Sequence, residues 1–98
     1  MFLVRDIMYC KPGQARAMVQ KFQALNKAGQ KMGFGSMRVL TDVSAERYWT
    51  IVAEFEVESF DKFLAMDSAP EMKEIGALMQ GYHDLVDHGR REIYKIEA

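Results

Sequence analysis

The residues with the clearest potential for chemistry lie near the C-terminal end, in the segment YHDLVDHGRREIYKIEA, which holds both histidines of the chain. If this segment is helical, His83 and Asp87 are four residues apart, as are Asp84 and His88, so each pair can meet on one helix face. A histidine oriented by a carboxylate is a common general acid–base arrangement. His83 is therefore a candidate catalytic residue, and Asp87 is the residue expected to orient it.

The same segment has two other interpretations. A metal site of the H-E-x-x-H kind needs two histidines four residues apart. His83 and His88 are five apart, roughly 140° around a helix, so we predict no metal site. The structural interpretation places His88 in the last turn of a helix, where a cation meets the helix dipole favourably, and makes Gly89 the C-terminal stop. The sequence does not decide between this structural interpretation and the acid–base interpretation.

Charged and aromatic residues on otherwise apolar strands form a second group of candidates. A buried charge needs a partner, so one interpretation pairs Arg5 with Glu54 across a sheet. In the other, Arg5 or Arg38 binds the anionic or phenolate oxygen of a ligand. Trp49 and Tyr82 are the aromatic residues that we expect in such a ligand site, with core or interface positions as the alternative.

Four strands and three helices must position these side chains. The apolar patterns predict strands over 1–10, 36–43, 47–57 and 90–97, and an amphipathic helix over 14–32. A short helix over 60–66, capped by Ser59, precedes a longer helix. That helix begins near Ser68 and Pro70 and ends at Gly89, with Met72, Ile75, Met79, Tyr82 and Val86 on one face.

The order β-α-β-β-α-β predicts an α+β fold of the ferredoxin-like type, in which one four-stranded antiparallel sheet carries its helices on one face. The length of 98 residues fits a single domain over 1–98. Helices on one face leave the other face of the sheet uncovered, yet the first strand is apolar on both faces. Such a patch favours self-association, so we expect a homodimer through the uncovered sheet face.

Composition narrows the function classes. The chain has 13 basic and 14 acidic residues and a formal net charge of −1, which predicts neither a nucleic-acid nor a membrane partner. The single cysteine fits a reducing, cytoplasmic compartment. Neighbouring Lys11 would lower the pKa of the Cys10 thiol. The eight methionines indicate either a Met-rich core or a pliable ligand cavity.

Three stretches resemble a known superfamily. KPGQARAMVQKF, YWTIVAEFEVESFDKFLA and HGRREIYKIEA are similar to the dimeric α+β barrel proteins, and especially to the antibiotic-biosynthesis monooxygenase-like and NIPSNAP-like groups. The resemblance implies a homodimeric barrel that holds a small apolar or aromatic molecule between sheet and helices. Some members oxygenate polycyclic phenols without a cofactor. Haem-degrading members use an Asn, Trp and His set, but the only asparagine here, Asn26, lies on a predicted helix.

Two functions therefore remain open. The resemblance implies that neither needs a cofactor, and the sequence has no phosphate-binding glycine loop. A cofactor-independent monooxygenase-like enzyme predicts an enclosed pocket that brings together Trp49, His83 and an arginine or tyrosine. A non-catalytic module, which binds a small hydrophobic molecule or only assembles, predicts a filled core or a pocket without convergent polar groups.

Overall fold

The computed structural model of the protein describes residues 1–33 and 35–98. Its elements, in chain order, are β1 (Phe2–Cys10), α1 (Ala15–Lys31), β2 (Arg38–Thr41), β3 (Thr50–Val57), α2 (Phe60–Asp67), α3 (Met72–Leu78), a 3₁₀ turn (Tyr82–Asp84) and β4 (Val86–Lys95). None of the helices in these ranges is long and apolar enough to cross a membrane.

The four strands form one antiparallel sheet in the order β2-β3-β1-β4. The two β-branched, aromatic-rich strands β1 and β3 lie at its centre, where they pair along their length. Arg5 stands opposite Glu54 in this register. The predicted α+β, ferredoxin-like fold is confirmed, with the second helical region divided into α2 and α3.

Strand alternation decides which side chains meet the helices. The even-numbered residues of β1, among them Met8 and Cys10, pack with α1 against Ile51 and Ala53 of β3. The odd-numbered residues of β1 and their neighbours lie on the other side, which we call the open face: Leu3, Arg5, Ile7, Tyr9, Arg38, Leu40, Val52, Glu54, His88, Arg90, Glu92 and Tyr94.

The core lies between the sheet and α1. Of the apolar stripe predicted for this helix, Met18 and Phe22 are buried against Ile51 and Ala53. The stripe repeats every three or four residues, so a single face of the helix carries almost all of its buried surface. The predicted helix over 14–32 is therefore confirmed within one residue at each end.

The helix predicted from about Ser68 to Gly89 is wrong in length. Helix α3 ends at Leu78, and Gly81 turns the chain with a left-handed backbone (φ 85°). From Val86 onward the chain is strand, so His88 is not in a helical last turn and Gly89 is not a helix stop. Gly89 instead faces Met8 on β1, where an added Cβ would lie 2.8 Å from the Ile7 carbonyl oxygen.

The third strand starts later than predicted, at Thr50 instead of residue 47. Trp49 has a left-handed backbone (φ 61°), which is unusual for a residue with a side chain and interrupts strand geometry. Its carbonyl accepts a hydrogen bond from the Cys10 amide (2.8 Å), and the Thr50 amide donates to the Asp42 carboxylate (2.9 Å). These bonds hold the turn against the end of the sheet.

Candidate functional site

A cleft of about 270 Å³ lies between the sheet and the helices, and we call it the sheet–helix cleft. Five of the eight methionines line it, together with two phenylalanines that pack with ring centres 6.1 Å apart: Met8, Met37, Met66, Met72, Met79, Phe55 and Phe63. Flexible thioether side chains make such a wall adaptable to different apolar shapes. The position and lining suit a small apolar or aromatic molecule.

One ion pair supplies the main charge of the cleft. The Arg91 guanidinium donates to both carboxylate oxygens of Asp6, from Nε at 2.6 Å and from Nη2 at 3.1 Å. Hydrogen bonding to Asp6 raises the pKa of Arg91, so the guanidinium stays charged. It also lies 5.2 Å from the ring centre of Phe63, within the range of cation–π attraction. Arg91 therefore presents a fixed positive group beside an aromatic wall.

Sequence reasoning missed both members of this pair as site residues. Asp6 and Arg91 stand opposite each other in the β1–β4 register and point toward the helices. The sequence did carry a signal for this pair, because Asp6 interrupts the apolar pattern of β1 and Arg91 interrupts that of β4. Only the register, which the sequence does not state, shows that the two charges meet.

The predicted residues Tyr82 and His83 lie at one end of the sheet–helix cleft. Tyr82 lines it, and the two rings are stacked with their centres 4.0 Å apart. His83 is exposed and lines an adjoining side cleft, which shares Asp6, Met8, Tyr82 and Arg91 with the first. The two clefts are thus continuous past the Tyr82 ring.

Asp87 does not contact His83 in the manner expected from helical spacing, because both residues follow the end of α3 and Asp87 already belongs to β4. The β1–β4 register pairs Tyr9 with His88 and Cys10 with Val86, which leaves Asp87 as the extra residue of a bulge. Its carboxylate lies 3.5 Å from His88 Nδ1. The structure therefore places Asp87 beside the other histidine.

Arg5 and Arg38 point to the open face, on the side of the sheet opposite the cleft. Both contact Glu54: Arg5 Nε lies 3.2 Å from one carboxylate oxygen, and Arg38 Nη2 bonds the other. The Arg5 Nε–H has no aligned acceptor among the described residues, so its contact is an ion pair rather than a hydrogen bond. The expected Arg5–Glu54 pairing across the sheet is present.

These three residues belong to a row of alternating charge across the open face. In order across the sheet it reads Arg38, Glu54, Arg5 and Glu92, one from each strand. Glu54 is the most buried of them, with 7% of its side chain exposed. A charge this buried is compatible with folding because two cations flank it.

Trp49 lies away from both clefts described above. It and Tyr48 line a groove between α1 and the edge strand β2. Its side chain does not meet His83 or Arg91 there, so the structure does not bring the predicted aromatic pair Trp49 and Tyr82 together. Trp49 is 43% exposed and Tyr48 is 87% exposed.

Two remaining possibilities, a reactive Cys10 thiol and a metal site, find no support in the structure. Burial, and secondarily the Asp42 charge, raises the pKa of the Cys10 thiol, contrary to the lowering expected from Lys11. A thiol of raised pKa is a weak nucleophile at neutral pH. Over residues 1–33 and 35–98, no group of three or more His, Cys, Asp or Glu side chains is arranged to hold a metal ion.

The fold is that of an α+β protein of the ferredoxin-like class. Comparison with solved structures shows which proteins share this fold. The structure is similar to a NIPSNAP domain protein from Burkholderia xenovorans (TM-score 0.76, 13% identity, 100% of this chain and 96% of that chain). It is also similar to an antibiotic biosynthesis monooxygenase (TM-score 0.71, 10% identity, 100% of both chains). A third similar structure is a NIPSNAP family protein from Agrobacterium tumefaciens (TM-score 0.71, 10% identity, 96% and 90%).

The suspected resemblance to these two groups is thereby confirmed at the level of fold. At such identities the likeness concerns backbone architecture and assigns no activity. No family model matches the sequence, and no curated protein matches it.

Proposed function

We propose that the protein binds a small apolar or aromatic molecule in the sheet–helix cleft. The observation that carries this proposal is the combination of five methionines with one fixed cation, Arg91, in a single cleft. Adaptable apolar walls would supply affinity, and a single charged donor would orient the oxygen of a phenol or acid. Two Arg91 nitrogens hold Asp6, which leaves Nη1 to donate to a ligand.

Methionine methyl signals in an NMR titration test this binding directly. With 1-naphthol as the probe, we expect shifts at Met8, Met37, Met66, Met72 and Met79, which line the cleft. Three internal controls should stay unshifted, namely Met1, Met18 and Met32, which lie outside it. The proposal would be overturned if only Met1, Met18 and Met32 showed saturable shifts, or if no methionine signal shifted.

A cleft-filling variant provides a matched control. Ile75 is 5% exposed and lines the cleft, so Ile75→Phe should reduce naphthol affinity by occupying the space. Leu78→Phe, on the same helix but 38% exposed and outside the lining, should leave affinity unchanged. Equal affinities in the two variants would argue against occupancy of the cleft.

A second candidate function is cofactor-independent oxidation of a polycyclic phenol, and the contiguity of His83, Tyr82 and Arg91 favours it. In this proposal His83 removes a proton from the ring methylene of an anthrone, and Arg91 stabilises the oxyanion that develops. Dioxygen then places one oxygen atom in the new carbonyl group and the other in water. Tyr82, which lies between the clefts, would position the ring.

Oxygen uptake with 1,8-dihydroxyanthrone, measured without added cofactor, tests this activity. We expect His83→Gln to abolish uptake above the protein-free rate while naphthol binding persists. Tyr94→Phe is the control, because Tyr94 lies on the open face and lines neither cleft. If the parent protein takes up oxygen no faster than the protein-free solution, the oxidation proposal is refuted and only the binding proposal remains.

We also propose that two copies associate through the open face. Exposed or half-buried apolar side chains remain there, including Leu40 at 41% and Tyr94 at 48% exposure. The charge row supports a particular arrangement, since a two-fold axis parallel to the strands reverses the row. Arg38 of one copy would then face Glu92 of the other, and Glu54 would face Arg5.

Sedimentation velocity over a range of concentrations tests this association. Leu40→Lys places a charge on the open face and should shift the protein to monomer at concentrations where the parent is dimeric. Val43→Lys is the control, because Val43 is fully exposed in the loop after β2. A parent protein that stays monomeric, or a dimer indifferent to Leu40→Lys, would refute the open-face interface.

A further inference from the structure

The groove between α1 and β2 is separate from the sheet–helix cleft. It encloses about 640 Å³ and shares no lining residue with the cleft. Tyr48 and Trp49 form its aromatic wall. The rest of its lining is apolar and polar side chains, namely Ala15, Val19, Val39, Arg16, Gln23, Thr41 and Asp42. This combination of an aromatic wall with a few polar groups is typical of a ligand site.

The aromatic wall is held in place by the backbone. Trp49 adopts a left-handed conformation that a residue with a side chain rarely takes, and such strain concentrates at functional positions. Two hydrogen bonds hold the peptide group between Trp49 and Thr50, one from the Cys10 amide to the Trp49 carbonyl and one from the Thr50 amide to the Asp42 carboxylate. The Trp49 indole is 43% exposed and lines the groove.

The two charged side chains of the groove, Arg16 and Asp42, differ in their availability to a ligand. Asp42 accepts a hydrogen bond from the Thr50 amide at 2.9 Å, so its carboxylate is already engaged. Arg16 has no ion-pair partner among the described residues and is exposed beside the groove. A guanidinium in this position matches the planar, bidentate geometry of a carboxylate.

We propose that this groove is a second binding site, specific for a small planar aromatic acid. The ring stacks against Trp49 and Tyr48, and the carboxylate pairs with Arg16. Aromatic surface supplies the affinity, and the arginine discriminates acids from neutral analogues. This site is independent of the ligand proposed for the sheet–helix cleft, because the two share no residue.

The chain offers a direct assay, because Trp49 is its only tryptophan. The probe is 3-iodobenzoate, whose iodine atom quenches indole fluorescence on contact, and 3-iodobenzamide is the neutral analogue. We expect saturable quenching by the acid and about tenfold weaker binding of the amide. Arg16→Gln should weaken acid binding by a similar factor, while Lys27→Gln, a cation on α1 outside the groove, should not.

Two results would overturn the proposal. One is quenching that rises linearly without saturation and equally for acid and amide. The other is an unchanged acid titration in Arg16→Gln. The methionine NMR titration separates the two sites, since Arg16→Gln should leave naphthol binding in the sheet–helix cleft unaffected.

Discussion

Glu54 is the residue whose replacement should most clearly reveal the energetics of the open face. Glu54→Gln keeps the side-chain shape but removes the charge that Arg5 and Arg38 share. Breaking a fully buried ion pair costs about 3–5 kcal/mol. Only Glu54 is well buried here, whereas 36% of the Arg5 side chain and 75% of the Arg38 side chain are exposed and stay hydrated. We therefore expect a smaller loss in the free energy of unfolding, about 2 kcal/mol.

Urea unfolding followed by circular dichroism measures this loss, and thermal unfolding should show a fall in Tm of roughly 8–16 °C. Glu56→Gln is the matched control, since Glu56 lies on the same strand and face, is exposed and has no ion pair among the described residues. Both variants should be measured at two protein concentrations, because dimerisation would add a concentration-dependent term. Losses for the two variants within about 0.5 kcal/mol of each other would refute the shared-charge account.

Three further predictions concern single positions. Gly89→Ala should lose about 1–3 kcal/mol of unfolding free energy in urea titrations, because its Cβ would crowd a backbone carbonyl, whereas Gly76→Ala has open space and should not destabilise; equal effects would contradict this. Because burial raises its pKa, Cys10 should react with Ellman's reagent far more slowly in folded than in urea-unfolded protein near neutral pH, and equal rates would disprove its protection. The ion pair with Arg90 lowers the pKa of Glu92, so the stability lost in Glu92→Gln should be largest near neutral pH and shrink as the pH falls below about 4.5; a gap that widens in acid would refute this sign.

The sequence was sufficient for the order of elements and for helix α1, because the apolar stripe of α1 repeats without interruption. The sequence did not show where helix α3 ends and where the 3₁₀ turn and strand β4 begin. Met79, Tyr82 and Val86 continue the helical period and do pack against the core, yet Tyr82 lies in a 3₁₀ turn and Val86 in a strand. Periodicity reports which residues are buried, and here different local structures bury them. Gly81, three residues past the end of α3 at Leu78, was the local signal for the break.

The candidate site was predicted only in part, for a similar reason. Tyr82 lines the cleft, and its role as a ligand contact stays a prediction. Arg5 and Arg38 were expected as possible ligand contacts, but alternation along a strand that is apolar on both faces does not reveal which face meets the helices. Trp49 was assigned by strand alternation as well, and its left-handed backbone removes it from that pattern.

The long edge of the sheet has a consequence for how the protein behaves at high concentration. Strand β4 has ten residues and, within residues 1–33 and 35–98, pairs on one side only, with β1. The backbone groups of its other edge are therefore available to a strand of another molecule. Long unpaired edges of this kind promote aggregation unless charge protects them. Five of the ten residues are charged, namely Asp87, Arg90, Arg91, Glu92 and Lys95. Arg91, which pairs with Asp6 in the cleft, and Glu92, which ends the charge row, are among these five charges. We expect that neutralising several of the five together would promote fibre formation.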